Sequence, residues 1–295
     1  MSLPAPLFAP ARLRPVALRV TFAIGLVFAM FAMRMLAVLE PGPWVGATLA
    51  TTGMITWMGV LVLRKPIVTR DTAHGRITFL GALLGVATAP VAYFTGFVVF
   101  GGAPSALLAL PIVMLLGAPI GLIAGTFFGL VAAMPLSAVA FAMRNPSPQS
   151  ADRATALLGA WALLIPALIV VLTPDPPSFY GWKANPAYMT MQYVGAAALG
   201  GLGLFLLLAA LRRLRWRQQF IERVVAGHEP GWALLEAPEG RPRPVGLECI
   251  DSRSKERSVL LCRCDELGQG AYRRADALQP VAWVPPGWVD TASLG

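Results

Sequence analysis

The stretch GAPIGLIAGTFFGLVAAMPLSA, residues 117–138, places a small residue at every fourth position. Four residues turn a helix by about 400°, so this interval produces a slowly winding groove without side chains. In a membrane, where no hydrophobic force drives helices together, such a groove lets two backbones approach closely. The predicted packing residues of this helix are Gly117, Gly121, Gly125, Gly129 and Ala133.

Two other apolar stretches offer a matching surface for this groove. The earlier one contains Gly81 and Gly85, followed by Ala89. The later one offers two pairs of small residues, Gly195 with Gly203 and Ala197 with Gly201. The spacing is specific for close helix packing, but it does not identify the partner. The partner helix belongs either to the same chain or to another membrane protein or a second copy, and a pore-lining role is a third alternative.

The composition is that of a membrane protein. Of the 295 residues, 56% are hydrophobic and only 13% are charged, whereas a soluble domain has about 25% charged residues. Several apolar stretches exceed the roughly 18 residues that indicate a membrane-spanning helix. We therefore predict an all-α polytopic membrane helix bundle with a small C-terminal cytoplasmic β-rich domain.

The apolar runs predict a transmembrane bundle over residues 16–211, after a short tail at 1–15. The long apolar run 103–143 could form two crossings, or one crossing at 117–143 preceded by a re-entrant or kinked segment at 103–116. One crossing keeps the arginine-rich helix ends on one side of the membrane, as positive-inside topology requires. The six predicted spans are 16–39, 44–63, 77–100, 117–143, 154–173 and 192–211.

The excess positive charge lies in the membrane part of the chain. Residues 1–217 contain 15 Lys/Arg and 4 Asp/Glu, whereas residues 218–295 contain 9 and 11. A nucleic-acid-binding domain would carry a basic face on its soluble part, so we predict no nucleic-acid partner. The distribution instead predicts an integral protein of the bacterial inner membrane with both termini cytoplasmic.

Two groups of arginines are candidate binding residues. Arg34 lies inside the first predicted span, near its outer end, where its side chain could reach the interface or bind an anionic headgroup. Four more follow the last span directly, in a segment at 212–228 predicted to continue as a helix. They are candidates for a topology signal or for binding anionic lipid headgroups: Arg212, Arg213, Arg215 and Arg217.

Residues 229–295 change in character to short apolar runs separated by Gly, Pro, Asp and Ser. This spacing predicts several short strands. The three cysteines all lie here, and together with His228 they could supply four zinc ligands. However, Cys-x-Cys without a Cys-x-x-Cys partner matches the usual ligand spacings poorly. We therefore expect no metal and only weak candidate ligands, namely Cys249, Cys262 and Cys264.

The chain contains no phosphate-binding loop, metalloprotease helix motif or serine-hydrolase elbow. The sequence therefore leans against an enzyme and predicts no cofactor. The favoured interpretation is a non-enzymatic assembly, scaffold or accessory component whose partners are membrane lipids and another membrane protein or itself. The alternative is a transporter, channel or flippase for an apolar or amphipathic molecule. A lipid-modifying enzyme ranks last, because the loops lack clustered acids and histidines.

Overall fold

The computed structural model describes residues 7–32, 41–64, 73–144, 148–172, 186–225, 228, 232–237, 248–251, 258–263, 268–274 and 280–284. Two compact units divide the chain, one formed by Leu7–Pro146 with Ser150–Leu211 and the other including Arg212–Gly295.

The described residues include six α-helices, which lie mainly in the first unit. They are α1 (Pro10–Ala32), α2 (Pro41–Arg64), α3 (Ala73–Tyr93), α4 (Leu110–Arg144), α5 (Pro148–Leu172) and α6 (Pro186–Val225). Six helical segments of the described chain are long and apolar enough to cross a membrane. The prediction of six spans is therefore confirmed at the level of helix length and composition, and the chain is an integral, multi-pass membrane protein.

Several of these helices begin at a proline. Pro41 and Pro43 follow the first predicted span at 16–39 and lie in the first turn of α2. Pro186 begins α6 six residues before the predicted start of the last span. Proline suits the first turn of a helix because its missing N–H would have no intrahelical partner there and its φ angle is already helical.

The long apolar run forms one α-helix rather than two. A 3₁₀-helix, Pro104–Ala109, leads directly into the 35-residue α4, so residues 110–116 share a helix with the glycine stretch. Before it, α3 continues as a π-helix, Phe94–Phe100, that ends at Gly101 and at Gly102 with φ of 61°. Only glycine adopts this left-handed conformation without strain.

The core of the membrane unit lies between α1, α5 and the second half of α4. The largest fully buried apolar side chains there are Leu13, Ile24, Leu136, Val139 and Leu158. By contrast, the first half of α4 is open on most sides, because none of its residues before Phe128 is buried. Phe128 bridges the two regions through ring contacts with Phe28 and Trp161, at centroid distances of 5.9 and 5.8 Å.

Helix α6 continues without a break to Val225, through the basic residues that follow the last predicted span. Beyond it, the described residues include five strands: β1 (Trp232–Ala237), β2 (Glu248–Asp251), β3 (Ser258–Arg263), β4 (Gly268–Arg274) and β5 (Pro280–Val284). They pair antiparallel in the order β2-β3-β1-β4-β5.

Candidate functional site

Helices α3 and α4 contact each other through backbone atoms rather than side chains. A Cβ atom added at Gly81 would lie 2.5 Å from the carbonyl oxygen of Gly125, and one added at Gly85 would lie 2.8 Å from Gly125 Cα. A Cβ atom at Gly121 would lie 2.9 Å from the carbonyl carbon of Gly85. A Cβ atom at Gly125 would lie 2.7 Å from Gly85 Cα. Real Cβ atoms essentially never come closer than 3.0 Å to such neighbours, so these four positions fit only glycine.

The contact extends in both directions along the two helices. A Cβ atom at Gly117 would lie 2.6 Å from the Cβ atom of Ala89, and one at Gly129 would lie 3.0 Å from Thr78 Cα. Ala133 is buried in the core, with 1% of its surface exposed. The structure therefore brings the glycines of the third and fourth predicted spans together within one chain.

An apolar cleft of about 250 Å³ lies above this contact, between α1, α2, α3 and α4, and it is partly open to the outside. Its floor is the glycine contact itself, and aliphatic, aromatic and hydroxyl side chains form its walls. The lining residues are Phe28 and Ala32 from α1, Thr51, Met54, Ile55 and Met58 from α2, Gly81, Leu84, Gly85, Thr88 and Ala89 from α3, and Ile120, Gly121, Ala124, Gly125 and Phe128 from α4.

Helical periodicity explains how each element contributes to this cleft. The four lining residues of α2 recur at intervals of three and four, so they form one face of that helix. The lining residues of α4 follow the same intervals along the glycine stretch. Because glycines on α3 and α4 supply no side chains, the space above their contact stays unfilled. The glycine stretch thus does two things: it docks α4 on α3 and it leaves room for the cleft.

Two threonine hydroxyls supply the polar groups of the cleft. Thr51 is 2% exposed, and its Oγ1 atom is buried without a hydrogen-bond partner in the described part of the chain. Thr88 donates its hydroxyl to the carbonyl oxygen of Leu84 at 2.7 Å. Both lie near the middle of their helical segments. No charged side chain is among the lining residues.

Two further glycine contacts were not predicted. Between α5 and α6, a Cβ atom at Gly203 would lie 2.5 Å from the backbone nitrogen of Leu163, and one at Gly159 would lie 2.8 Å from the carbonyl oxygen of Gly203. Between α2 and the π-helix, a Cβ atom at Gly96 would lie 2.7 Å from the carbonyl oxygen of Pro43. Gly159 and Gly96 are single glycines in their helices, so no repeat pointed to them.

The remaining small residues of α6 have different surroundings. Gly195 packs beside Met30 of α1, since a Cβ atom there would lie 3.1 Å from Met30 Cε. At Gly201, an added Cβ atom would meet nothing within 4 Å, and Ala197 one turn earlier is exposed. This pair therefore does not contact the glycine stretch of α4.

The basic residues that follow the last span do not share one environment. Arg212 and Arg215 are exposed and Arg213 is half-buried, whereas Arg217 is 2% exposed. The headgroup role suggested for all four stays a prediction. Arg34 lies among residues 33–40, outside those that the structure describes.

An aromatic stack follows these arginines on α6. The rings of Trp216 and Phe220 lie 5.5 Å apart at an angle of 13°, and the guanidinium carbon of Arg223 lies 5.8 Å from the Phe220 centroid. The three residues are spaced four and three apart, so they share one helix face. The stack lets a cation and an aromatic ring attract each other along this face.

The cysteine positions provide no metal site among the described residues, where no group of three or more His, Cys, Asp or Glu could hold an ion. Cys249 of β2 pairs with Leu260, and Cys262 of β3 pairs with Ala233. Cys264 lies outside the described residues. The weak suggestion of a zinc site therefore gains no support from the described part of the chain.

Two buried polar residues were missed by sequence reasoning. Asp152 is fully buried near the start of α5, where its Oδ1 atom accepts a hydrogen bond from the backbone N–H of Leu7 at 3.1 Å. Gln192 is fully buried in α6, and its Nε2 atom donates to the carbonyl oxygen of Met30 at 3.0 Å. Asp152 lies between the fourth and fifth predicted spans and Gln192 is the first residue of the sixth, so neither interrupts an apolar run.

Comparison of the chain with protein-family models, with curated proteins and with solved structures found no match.

Proposed function

We propose that this chain is a non-enzymatic membrane protein that accommodates an apolar or amphipathic molecule in the cleft between α1, α2, α3 and α4, as a lipid carrier, transporter or flippase would. One observation carries this proposal: an open cleft of about 250 Å³ whose lining is apolar apart from two hydroxyls. Ligand sites are typically concave and mainly apolar with a few polar groups.

The way the glycine stretch is used favours this function over assembly through that stretch. The glycines of α4 are occupied by α3 of the same chain, so they are not available to a partner helix. The cleft beside the glycine stretch, by contrast, is open to a ligand. Ala32, Ile120 and Ala124 line it and are themselves exposed, and in a bilayer this opening would face the lipid tails.

Filling the cleft tests the proposal. Ala124 is exposed and lines the cleft but is not one of the close glycine positions, so Ala124→Trp should fill the space without separating α3 from α4. We expect the variant to fold and to lose lipid molecules that the wild-type protein retains in mild detergent, as measured by native mass spectrometry. Flux of a fluorescent lipid in liposomes then distinguishes transport from binding alone.

The matched control is Thr126→Trp, which places the same side chain two residues away on an exposed position that does not line the cleft. Equal lipid retention by both variants and by the wild type would reject the cleft as a binding site.

The second candidate is an assembly or accessory component, and the open Ala197–Gly201 pair on α6 favours it. Small residues four apart on an exposed helix face permit close approach of another helix. Under this proposal, Gly201→Leu abolishes co-purification of a partner, or self-association, after cross-linking in native membranes. If the cross-linked species of Gly201→Leu match those of the wild type, this role is rejected.

The proposal also includes the location of the protein, its topology and the roles of its other segments. We place the protein in the bacterial inner membrane with both termini cytoplasmic, because the arginine-rich helix ends would then all face the cytoplasm. The α3–α4 contact would act as a glycine zipper. The basic end of α6 would anchor at anionic headgroups, and residues 229–295 would form a small cytoplasmic β-rich domain. Membrane lipids are the proposed partners and nucleic acid is not.

A further inference from the structure

Two buried threonines of the membrane unit, Thr48 and Thr51, have a hydroxyl oxygen without a hydrogen-bond partner among the described residues, and of these two only Thr51 lines the cleft. The hydroxyls of Thr21, Thr52 and Thr155 each donate to the carbonyl oxygen four residues earlier, at 2.7 to 2.8 Å. The Thr51 hydroxyl makes no such bond, although only 2% of the residue's surface is exposed. A buried hydroxyl without a partner costs free energy in an apolar environment.

Thr51 and its unpartnered hydroxyl lie at the cleft. It lies near the middle of α2, on the face that also carries Met54, Ile55 and Met58, and it lines the cleft. No water competes for it at the centre of a bilayer. The Oγ1 atom itself is buried in the structure, so the hydroxyl donates to an acceptor in the cleft once the side chain turns toward that space.

Thr88 lines the cleft from α3, and its hydroxyl differs from that of Thr51 because it is already hydrogen-bonded. Its proton is already donated to the carbonyl oxygen of Leu84, so only its oxygen lone pairs remain for a ligand. The cleft therefore has one hydroxyl with a free donor, and it has no charged lining side chain. A charged ligand group would lose its hydration here without gaining a counter-charge, which is costly.

We propose that the cleft binds an uncharged lipid whose apolar skeleton carries a carbonyl oxygen, and that this oxygen accepts a hydrogen bond from Thr51. This inference rests on the proposed function, since it requires that the cleft take up a ligand at all. A volume of about 250 Å³ exceeds the roughly 150 Å³ cavity that takes up benzene. The cleft thus holds the carbonyl-bearing part of the lipid, and the remainder extends through the opening.

The test uses the full-length protein in lipid nanodiscs and two photoreactive probes of equal chain length, a mid-chain alkyl ketone and the corresponding alkane. Each probe carries a terminal diazirine, and cross-linked peptides are located by mass spectrometry. In the wild type, we expect the ketone to label the cleft-lining peptides of α2 and α4 about threefold to tenfold more efficiently than the alkane. That range corresponds to one hydrogen bond in a membrane protein.

Three variants separate the hydroxyl from other effects. Thr51→Val keeps the shape of the side chain and should reduce ketone labelling to the level of the alkane, with alkane labelling unchanged. Thr51→Ser keeps the hydroxyl and should retain the preference for the ketone. Thr155→Val removes a buried hydroxyl that bonds within its own helix, away from the cleft, and should also retain it.

The outcomes distinguish this inference from the proposed function. If both probes label the cleft equally in the wild type, or if Thr51→Val keeps the preference, the hydrogen bond is rejected while binding in the cleft stands. If neither probe labels the cleft-lining peptides, or if Ala124→Trp is labelled there as strongly as the wild type, the proposed function fails together with the inference.

Discussion

Glycines of this chain that look alike in sequence have very different surroundings. Gly53 and Gly121 both lie inside apolar helices. An added Cβ atom at Gly53 would meet nothing within 4 Å, whereas one at Gly121 would enter the backbone of Gly85. A backbone cannot move aside as a flexible side chain can, so the contact between α3 and α4 tolerates no Cβ atom at Gly121.

The different surroundings of Gly53 and Gly121 predict that the same substitution has different effects on stability at the two positions. Gly121→Ala should destabilise the protein by about 1–3 kcal/mol, the range for overpacked interiors. Gly53→Ala should be neutral or stabilising by up to about 1 kcal/mol, because alanine is the better helix former. Thermal unfolding of both purified variants in the same detergent measures the difference. A loss of stability in Gly53→Ala equal to that in Gly121→Ala would contradict the backbone contact.

The hydrogen bond of the buried residue Gln192 could not be predicted from local sequence. Gln192 on α6 donates a hydrogen bond from its Nε2 atom to the carbonyl oxygen of Met30 on α1, across 162 positions of sequence. No local pattern could reveal this bond, because its donor and acceptor meet only when the two helices pack together.

For whole elements, the number and order of the helices could be predicted from apolar run length, but their ends could not. Four of the six helices begin at a proline, namely Pro10, Pro41, Pro148 and Pro186. The corresponding predicted spans begin three to six residues later, at 16, 44, 154 and 192. Because proline lacks the N–H, it can end one helix or begin the next, and only the neighbouring structure decides between these two roles.

The repeat in α4 pointed to its own packing face, and the spacing of Gly81 and Gly85 suggested α3 as one possible partner. What the spacing could not decide was whether that partner belonged to the same chain. The α5–α6 contact was unpredictable for a different reason, because Gly159 stands alone in its helix. A single glycine carries no periodicity, although it permits an equally close approach.

Two glycines of α6 allow this second contact to be tested. Gly203→Leu should separate α5 from α6, because a Cβ atom at Gly203 would already lie 2.5 Å from the backbone nitrogen of Leu163. Gly201→Leu introduces the same side chain two residues earlier, where an added Cβ atom meets nothing within 4 Å. We expect the first variant to lower the unfolding temperature in detergent and to become sensitive to protease, and the second to match the wild type in both. The reverse order would show that α6 docks through its other face.

For the whole molecule, six single crossings place alternate helix ends on opposite sides of the membrane. In a chain whose three cysteines are replaced by serine, Gly75→Cys at the start of α3 should react with an impermeant maleimide only after the cells are opened. Ser105→Cys, in the exposed 3₁₀-helix, should react in intact cells. Detection of both cysteines from the same side would contradict the proposed topology.

The unusual length of α4 has a consequence for the membrane that surrounds it. Its 35 residues span about 52 Å, whereas the hydrocarbon core is about 30 Å thick. Such hydrophobic mismatch is relieved by tilting the helix or by thickening the bilayer around it. Because α4 is fixed to α3 along a shared backbone contact, a change in tilt must carry both helices together.

The width of the cleft beside them should therefore depend on bilayer thickness. Nanodiscs made from lipids of increasing acyl-chain length provide the measurement, with the distance between spin labels on α2 and α4 as the readout. A graded change in that distance would make the protein a gauge of the membrane in which it lies, and an invariant distance would mean that the bilayer adapts to the helix.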